Sequence, residues 1–535
     1  MASAATAQIP NPTIEQKLSR NPGKIGMMIF GVALIAGLIY TVLAMKEDLG
    51  TIHVTSAGPF ILLGIALLTA LGFEFVNGFH DTANAVATVI YTHSMEPHIA
   101  VVWSGMWNFI GVLTSTGAVA FGILSLLPVE LILQVSSGAG FAMVFALLIA
   151  AIIWNVGTWY LGLPASSSHT MVGSIIGVGV ANQLMSARSG TSGVDWGQAL
   201  KVGQTLLISP LIGFGVAAIL LLICKLVIKD KRLYEAPVGT EPPPFWIRGL
   251  LIGTCTGVSF AHGSNDGQKG MGLIMLILVG TVPTAYALNH AVSPAQTADF
   301  LAVSAQTEQV VSKHVNSNAL VGDSRVELTD YIRTREFKDD TMLALRQYIN
   351  DVGNEVKQFG ILKKVPADRM GNLRNEMYVV SEALRLIQKD GKSEFSDEDK
   401  KVLTNYKQHI DLATKFIPIW VKVAVALALG LGTMVGWKRI VVTVGEKIGK
   451  DHLTYAQGAA AEITAMATIM TADGLGLPVS TTHVLSSGIA GTMAANKSGI
   501  QMDTVRSLAI AWVLTLPAAM ILSGSLFWAF RNINL

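Results

Sequence analysis

The chain has 535 residues, of which 51% are hydrophobic and only 14% are charged. A soluble protein carries about a quarter charged residues, so this composition excludes an ordinary soluble chain and indicates a polytopic membrane protein in a lipid bilayer. The formal net charge of +2 predicts no nucleic acid or other strongly charged partner.

Apolar segments follow one another along most of the chain. The first, roughly 25–45, is long enough to cross the hydrocarbon core and forms an N-terminal unit, 1–57, with the polar tail before it. A first half, 58–228, has five segments: 58–92, 98–126, 139–160, 164–188 and 205–228. After a linker at 229–247, the second half has five more: 248–287, 415–436, 452–473, 478–497 and 504–530. An odd number of spans per half predicts inverted repeats, the signature of a secondary transporter.

Residues 288–414 interrupt the second half with many charges of both signs and helical periodicity. We predict a soluble helical insert here, so that the second half comprises 248–287 and 415–535. Lys and Arg near the span ends place the N-terminal tail and the linker in the cytoplasm. The insert is then expected on the opposite side, outside, because the single segment 248–287 lies between it and the linker.

Each half carries a stripe of polar residues, spaced 3, 4 and 3 apart, inside its first apolar segment. The stripes are Glu74, Asn77, Asp81 and Asn84, and Ser259, His262, Asp266 and Lys269. This spacing puts each set on one helix face. Ionisable groups at bilayer depth are costly and usually face a cavity or a partner. The alternative is a buried ion pair, since Asp266 and Lys269 stand at i,i+3.

Glycines lie within both stripes. Gly78 and Gly263 occupy matching places, and the segments 58–92 and 248–287 are too long for one straight crossing. We therefore predict discontinuous helices, broken near the midplane where backbone groups line a cavity. Close helix packing is the alternative role for these glycines.

Two hydroxyl-rich runs each follow a proline, Pro164 or Pro478, and precede a new apolar helix. The runs are Ser166, Ser167 and Ser168, and Ser480, Thr481 and Thr482. Proline suits a first helical turn, and Ser or Thr can cap one. A helix that begins inside the bilayer offers its N–H donors to an anion, so the runs predict an oxyanion site, with plain capping as the alternative.

Charge constrains the mechanism. Asp81 and Asp266 would repel an anionic substrate in a low dielectric, so cations must enter with it: protons, sodium or a divalent metal. The sequence therefore predicts symport, with no cofactor and no resident metal. The candidate coupling residues are Asp81, Asp266, Glu74, His169 and His483, although either histidine could instead orient hydroxyls or serve packing.

At the segments 77–85, 164–170, 262–270 and 478–487, the chain resembles the inorganic phosphate transporter family, most closely its bacterial low-affinity branch. The resemblance implies an inverted-repeat fold with a phosphate site between the halves, two hydroxyl-tipped hairpins and a homodimer. Asp81, Asn84, Asn265 and Asp266 match the family's Asn–Asp motifs, and Lys269 stands where the first copy has Asn84. Residues 166–168 and 480–482 match the hairpin tips and complete the implied phosphate site.

The resemblance also makes Asn108 a candidate coupling residue, because it stands where many sodium-coupled members of that family carry a glutamate. The bacterial branch is proton-coupled and takes up metal–phosphate complexes, which the resemblance implies for this chain in the bacterial inner membrane. A sodium-coupled phosphate symporter and a sulfate permease of the same fold remain alternatives. So do a channel and a membrane hydrolase using Ser168 and His169, although no G-x-S-x-G elbow is present.

Overall fold

A computed structural model describes residues 23–50, 58–81, 83–133, 137–185, 194–237, 239, 241–315, 322–391 and 393–533. Within these ranges the chain is helical and contains no β-strand, which confirms the predicted all-α class. One isolated β-bridge joins Gly449 and Ile500.

The first part of the chain contains nine described helices before a short 3₁₀ turn at Lys231–Tyr234. They are α1 (Gly23–Leu49), α2 (Gly58–Asp81), α3 (Ala83–Tyr91), α4 (Pro97–Thr114), α5 (Ala118–Leu124), α6 (Val129–Leu133), α7 (Gly138–Tyr160), α8 (Ser167–Met185) and α9 (Trp196–Val227).

The remainder begins with a long helix, continues through the charged segment and returns to apolar helices. The helices are α10 (Phe245–Thr281), α11 (Pro283–Tyr286), α12 (Pro294–Ser312), α13 (Ser324–Thr334), α14 (Thr341–Phe359), α15 (Ala367–Asp390), α16 (Asp397–Thr414), α17 (Ile419–Thr433), α18 (Lys438–Glu446), α19 (Tyr455–Gly474), α20 (Thr481–Asn496) and α21 (Met502–Asn532). A second 3₁₀ turn, Leu362–Lys364, precedes α15.

Several of these helices are able to cross a membrane. By length and composition, five described helical stretches qualify, or up to seven if each of two bent helix pairs forms one span. The qualifying stretches are Met28–Leu49, Phe60–Tyr91, Gly138–Tyr160, Trp196–Val227 and Met502–Asn532. This pattern supports a multi-pass membrane protein.

The predicted segment 98–126 is not one helix. It forms α4 and α5, which meet at an angle of 75°. Gly117 lies at the corner with φ of 89°, a left-handed conformation that glycine adopts without steric cost.

The predicted break in the second stripe is wrong, and the first stripe has no break at Gly78, while Thr82, between α2 and α3, lies outside the described residues. The α10 helix runs without interruption for 37 residues, and α2 continues through Gly78 to Asp81. The glycines serve close packing instead. A Cβ at Gly263 would lie 2.2 Å from the Asn108 carbonyl oxygen, and one at Gly78 would lie 2.2 Å from the carbonyl oxygen of Leu429. Backbones can approach so closely only where one helix has no side chain.

The two short helices that follow the hydroxyl runs pack in a reciprocal way. The α8 helix lies along α21, and α20 lies along α9. Glycine again sets the distance: a Cβ at Gly177 would lie 2.1 Å from the Met520 carbonyl oxygen, and one at Gly491 would lie 2.1 Å from that of Phe214. Each short helix is thus fixed against the last long helix of the other half.

The charged segment has a hydrophobic core of its own, in which Tyr331, Leu345 and Tyr406 are fully buried. It is tied to the membrane helices through Arg385, whose guanidinium lies 2.7 Å from the Asp195 carboxylate ahead of α9. The N-terminal helix is tied in as well, because Asp48 accepts hydrogen bonds from Tyr286 and Trp420, each at 2.9 Å.

The close approach at Gly263 yields a stability prediction. Gly263→Ala should lower the free energy of unfolding by about 1–3 kcal/mol, because the new methyl would meet rigid Asn108 backbone. Gly253→Ala in the same helix is the matched control, since nothing lies within 4 Å of its Cβ position. It should be neutral or stabilising by up to about 1 kcal/mol. Thermal unfolding of the detergent-solubilised variants measures both, and equal melting temperatures would contradict the packing role.

Candidate functional site

The two hydroxyl runs sit at the N-termini of α8 and α20. The Ser480 hydroxyl accepts a hydrogen bond from the His483 N–H at 3.1 Å, and Ser166 accepts one from the His169 N–H at 3.2 Å. The first hydroxyl of each run is therefore a helix cap. The predicted place of the prolines in the first turn is wrong, because Pro164 and Pro478 each stand three residues ahead of the helix.

These two helix N-termini meet each other in the interior, and their meeting point is called the junction below. The Ser168 hydroxyl donates to the Val479 carbonyl at 2.7 Å, and the rings of His169 and His483 lie 4.5 Å apart. Trp512 supports the junction from α21: it stacks on His483 at 4.2 Å and donates its indole N–H to the Pro164 carbonyl at 3.1 Å. Two positive helix ends thus point toward one region.

Asp81 joins this junction from the end of α2. Its Oδ1 atom accepts a hydrogen bond from the Thr482 hydroxyl at 2.6 Å and lies 3.2 Å from His80 Nδ1. The other ring nitrogen of His80 lies 3.1 Å from the Thr158 hydroxyl. All four side chains are buried, so the carboxylate depends on protein partners rather than bulk water.

The second stripe forms a parallel network on α10. The Asp266 Oδ2 atom lies 2.7 Å from Lys269 Nζ and 3.4 Å from His262 Nε2. His262 is held in turn by Asn108, whose amide oxygen lies 2.8 Å from His262 Nδ1. The Asn108 amide donates to the Thr433 hydroxyl at 3.5 Å. The alternative reading of Asp266 and Lys269 as a buried ion pair therefore describes this conformation.

The two networks converge on a cation-sized cluster. Asp81, His262 and Asp266 are buried, and each offers a ligand atom within 4.8 Å of the others. Two carboxylates beside the single ammonium of Lys269 leave an excess of one negative charge. A protonated histidine or an additional cation is needed to balance it in a low dielectric.

Glu74 is the first residue of the first stripe. It accepts a hydrogen bond from the Asn77 amide at 3.2 Å and packs against α10, where a Cβ at Gly270 would lie 2.3 Å from Glu74 Cγ. Its Oε1 atom is buried without a hydrogen-bond partner among the described residues. The side chain of Asn84, the fourth member of the stripe, lies outside the described residues.

Asn265 fixes the loop between α19 and α20. Its amide donates to the Leu477 carbonyl at 3.1 Å and accepts from the Val479 N–H at 3.4 Å. Beside it, Ser264 and Gln268 each donate to the Asp473 carboxylate at 2.6 Å. In this conformation Asn265 therefore shapes the second hydroxyl run by holding its backbone.

Some polar atoms of the junction remain without a protein partner. Within the described residues, the Thr481 hydroxyl, His169 Nδ1 and His483 Nε2 are buried and make no hydrogen bond. Ser167 accepts a hydrogen bond from the Asn155 amide at 3.3 Å. Such atoms can bind an oxyanion directly, since each unsatisfied buried group costs free energy until it gains a partner.

Several residues of the site were not among the predicted set, and His262, Asn155 and Trp512 illustrate why. His262 could have been included, because it stands four residues before Asp266 on the same stripe. Asn155 and Trp512 gave no signal, since they reach the hydroxyl runs only through the packing of separate helices.

Comparisons with known proteins agree on one family. A model described as the phosphate transporter family matches residues 77–523. The low-affinity inorganic phosphate transporter PitA of Escherichia coli (strain K12) is 41% identical over 486 residues, which cover 88% of this chain and 96% of that protein. PitB of the same strain is 40% identical over 486 residues, with the same coverage. These relatives are named as transporters and not as enzymes.

Two further similarities extend the comparison. The low-affinity inorganic phosphate transporter of Buchnera aphidicola subsp. Acyrthosiphon pisum is 39% identical over 483 residues, covering 88% of this chain and 96% of that protein. A solved structure titled "The sodium-dependent phosphate transporter" is 18% identical, with a TM-score of 0.49, over 88% of this chain and 100% of that one.

Valine substitution should lower the stability of the protein at Thr482 but not at the neighbouring Thr481. Thr482→Val removes the hydrogen bond to Asp81 and should cost about 1.5–3 kcal/mol in the free energy of unfolding, as expected for a bond to a charged group. Thr481→Val removes a buried hydroxyl that has no described partner and should leave stability equal or higher. Chemical or thermal unfolding in detergent compares them. Equal losses would show that the Thr482–Asp81 contact contributes nothing specific.

Proposed function

The chain belongs to the phosphate transporter family, and we propose that it is a secondary active symporter that imports inorganic phosphate with protons. The observation that carries this proposal is the meeting of Asp81, Asp266 and both hydroxyl runs in one buried junction. The named relatives support phosphate as the substrate class. We assign the protein to the bacterial inner membrane because those relatives are bacterial transporters and several helices here are able to span a bilayer.

We infer an inverted repeat, with the first half at 58–228 and the second at 248–287 and 415–535. The reciprocal packing of α8 on α21 and of α20 on α9 supports it, because two halves related by such a symmetry exchange equivalent contacts. The N-terminal unit, the linker and the 288–414 insert lie outside this repeat. A homodimer remains a prediction from the family resemblance.

In this proposal the hydroxyl runs bind the phosphate oxygens. Thr481 and Ser167 donate hydroxyl groups, and the first-turn N–H groups of α8 and α20 add backbone donors and the positive helix ends. Ser166, Ser168, Ser480 and Thr482 complete the two runs and orient them through the contacts described above. Asn265 acts through the loop that it holds, and Asn84 stays a candidate from its motif alone.

Charge balance supports entry of phosphate as a metal complex. A divalent ion travelling with its phosphate can pass the Asp81, His262 and Asp266 cluster, whose oxygen and nitrogen atoms are suitable ligands. Lys269 neutralises Asp266 when no ion is there. Protons are carried by the carboxylates or by the paired His169 and His483, whose unpartnered ring nitrogens face the junction.

The motif aspartates should be indispensable. Asp81→Asn and Asp266→Asn should each abolish phosphate uptake into proteoliposomes while the protein still folds, because each removes a charge that the transport cycle must compensate. Asp503→Asn, the same substitution at an exposed position, is the control and should transport normally. Uptake near the unmodified rate by either motif variant would remove the aspartates from the mechanism. Measuring sulfate uptake in the same assay distinguishes a phosphate transporter from the alternative sulfate permease.

The coupling ion has its own test. Uptake should follow an inward proton gradient, rise with magnesium and ignore sodium, since Asn108 offers no carboxylate where a sodium ligand is expected. Asn108→Glu, beside His262, should introduce sodium dependence. Sodium stimulation of the unmodified protein at fixed pH, without any response to a proton gradient, would instead establish the sodium-coupled alternative.

A further inference from the structure

A cavity of about 500 Å³ lies between the insert and the membrane helices. The insert lines it from α15 and α16, including Arg374 and Tyr378. The membrane part lines it from α5, the later part of α10 and the loop residues Gly476 and Leu477. None of the carboxylate or hydroxyl side chains of the junction described above lines this cavity, so it is a separate compartment.

The lining of this cavity is electropositive. Five cationic side chains and two carboxylates border it: Lys201, Arg374, Arg385, Lys407 and Lys415, and Glu382 and Asp411. Lys407 and Lys415 share Asp411, and Arg385 pairs with Glu382 and Asp195. Within the described residues, Lys201 and Arg374 have no carboxylate partner.

Arg374 has a buried N–H donor that no described residue accepts from. Its Nε atom is buried without a hydrogen-bond partner in the described chain, its Nη1 donates only to the Asn375 amide oxygen at 3.2 Å, and its guanidinium lies 5.3 Å from the Tyr378 ring centroid. Burial lowers the pKa of Arg374 below its usual value. A partly desolvated guanidinium with free N–H donors matches an oxyanion with at least two oxygens.

The cavity also reaches the loop that precedes the second hydroxyl run. Leu477 lines it, and the Leu477 carbonyl is the one that Asn265 holds. Val479, two residues on, bonds Ser168 at the tip of the first run. An anion in the cavity is therefore separated from the hydroxyl runs by this short loop.

We propose that the cavity is an oxyanion vestibule, in which the insert collects phosphate on its own side of the membrane before the 475–480 loop admits it. The inference rests on the proposed function and adds a role for the insert. A positively lined cleft raises the local concentration of an anion without binding it tightly. The same chemistry would also suit the phosphate group of an anionic lipid, which the experiment must separate.

The test is the phosphate concentration dependence of uptake by Arg374→Gln in proteoliposomes of neutral phosphatidylcholine. We expect the apparent KM to rise roughly three- to tenfold with little change in maximum rate, because an attractive charge affects encounter more than later steps. The KM difference should shrink as ionic strength rises. Arg374→Lys should restore much of the affinity, since it keeps the charge.

Lys357→Gln is the matched control, because it removes an exposed insert cation away from the cavity and should leave KM unchanged. Lys201→Gln removes the other unpaired cation from the membrane side and should act in the same direction as Arg374→Gln. An unchanged KM in both cavity variants would overturn the vestibule. So would an effect that appears only when anionic lipid is present, which would assign the cavity to a headgroup. Absence of phosphate uptake by the unmodified protein would instead refute the proposed function.

Discussion

The arrangement of the membrane helices depends on how two buried aspartates are neutralised. A carboxylate away from water is tolerated only with close partners. Asp81 bonds to Thr482, which is 401 positions away, while Asp266 is held by Lys269 and His262 on its own helix. His80 is adjacent to Asp81, but Thr482 reaches Asp81 only when the two halves meet, so this hydrogen bond forms together with the site.

Glycine makes that meeting possible. Polar side chains reach across helix pairs such as α10 and α4 because the backbones approach to contact distance at Gly263. This close packing also explains why a glycine-rich stripe was mistaken for a break. Glycine lowers helix propensity and permits close contact through the same lack of a side chain, and only the opposing Asn108 backbone distinguishes these outcomes. The Asn108 backbone, which makes Gly263 a packing glycine, is 155 residues away from it in sequence.

Local regularities were therefore predictable and long-range contacts were not. The polar stripes follow from helical periodicity, and the hydroxyl runs at helix starts follow from capping, both of which involve residues within one turn. The all-helical fold followed from composition and apolar periodicity. By contrast, no spacing indicates that Trp512 supports Pro164 or that Asn265 clamps Val479. Those contacts arise from how separate helices are positioned in three dimensions.

In the proposed uptake route, the hydrogen bonds that hold the 475–480 loop limit how fast the loop can open. Moving the 475–480 loop breaks the two Asn265 bonds to Leu477 and Val479 together with the Ser168 bond to Val479. Three such bonds, at about 1 kcal/mol each, slow a free loop's nanosecond-to-microsecond motion by roughly two orders of magnitude. In the proposed uptake route, loop opening then takes up to about 100 microseconds, so passage of the anion past the loop is slower than a free loop would allow.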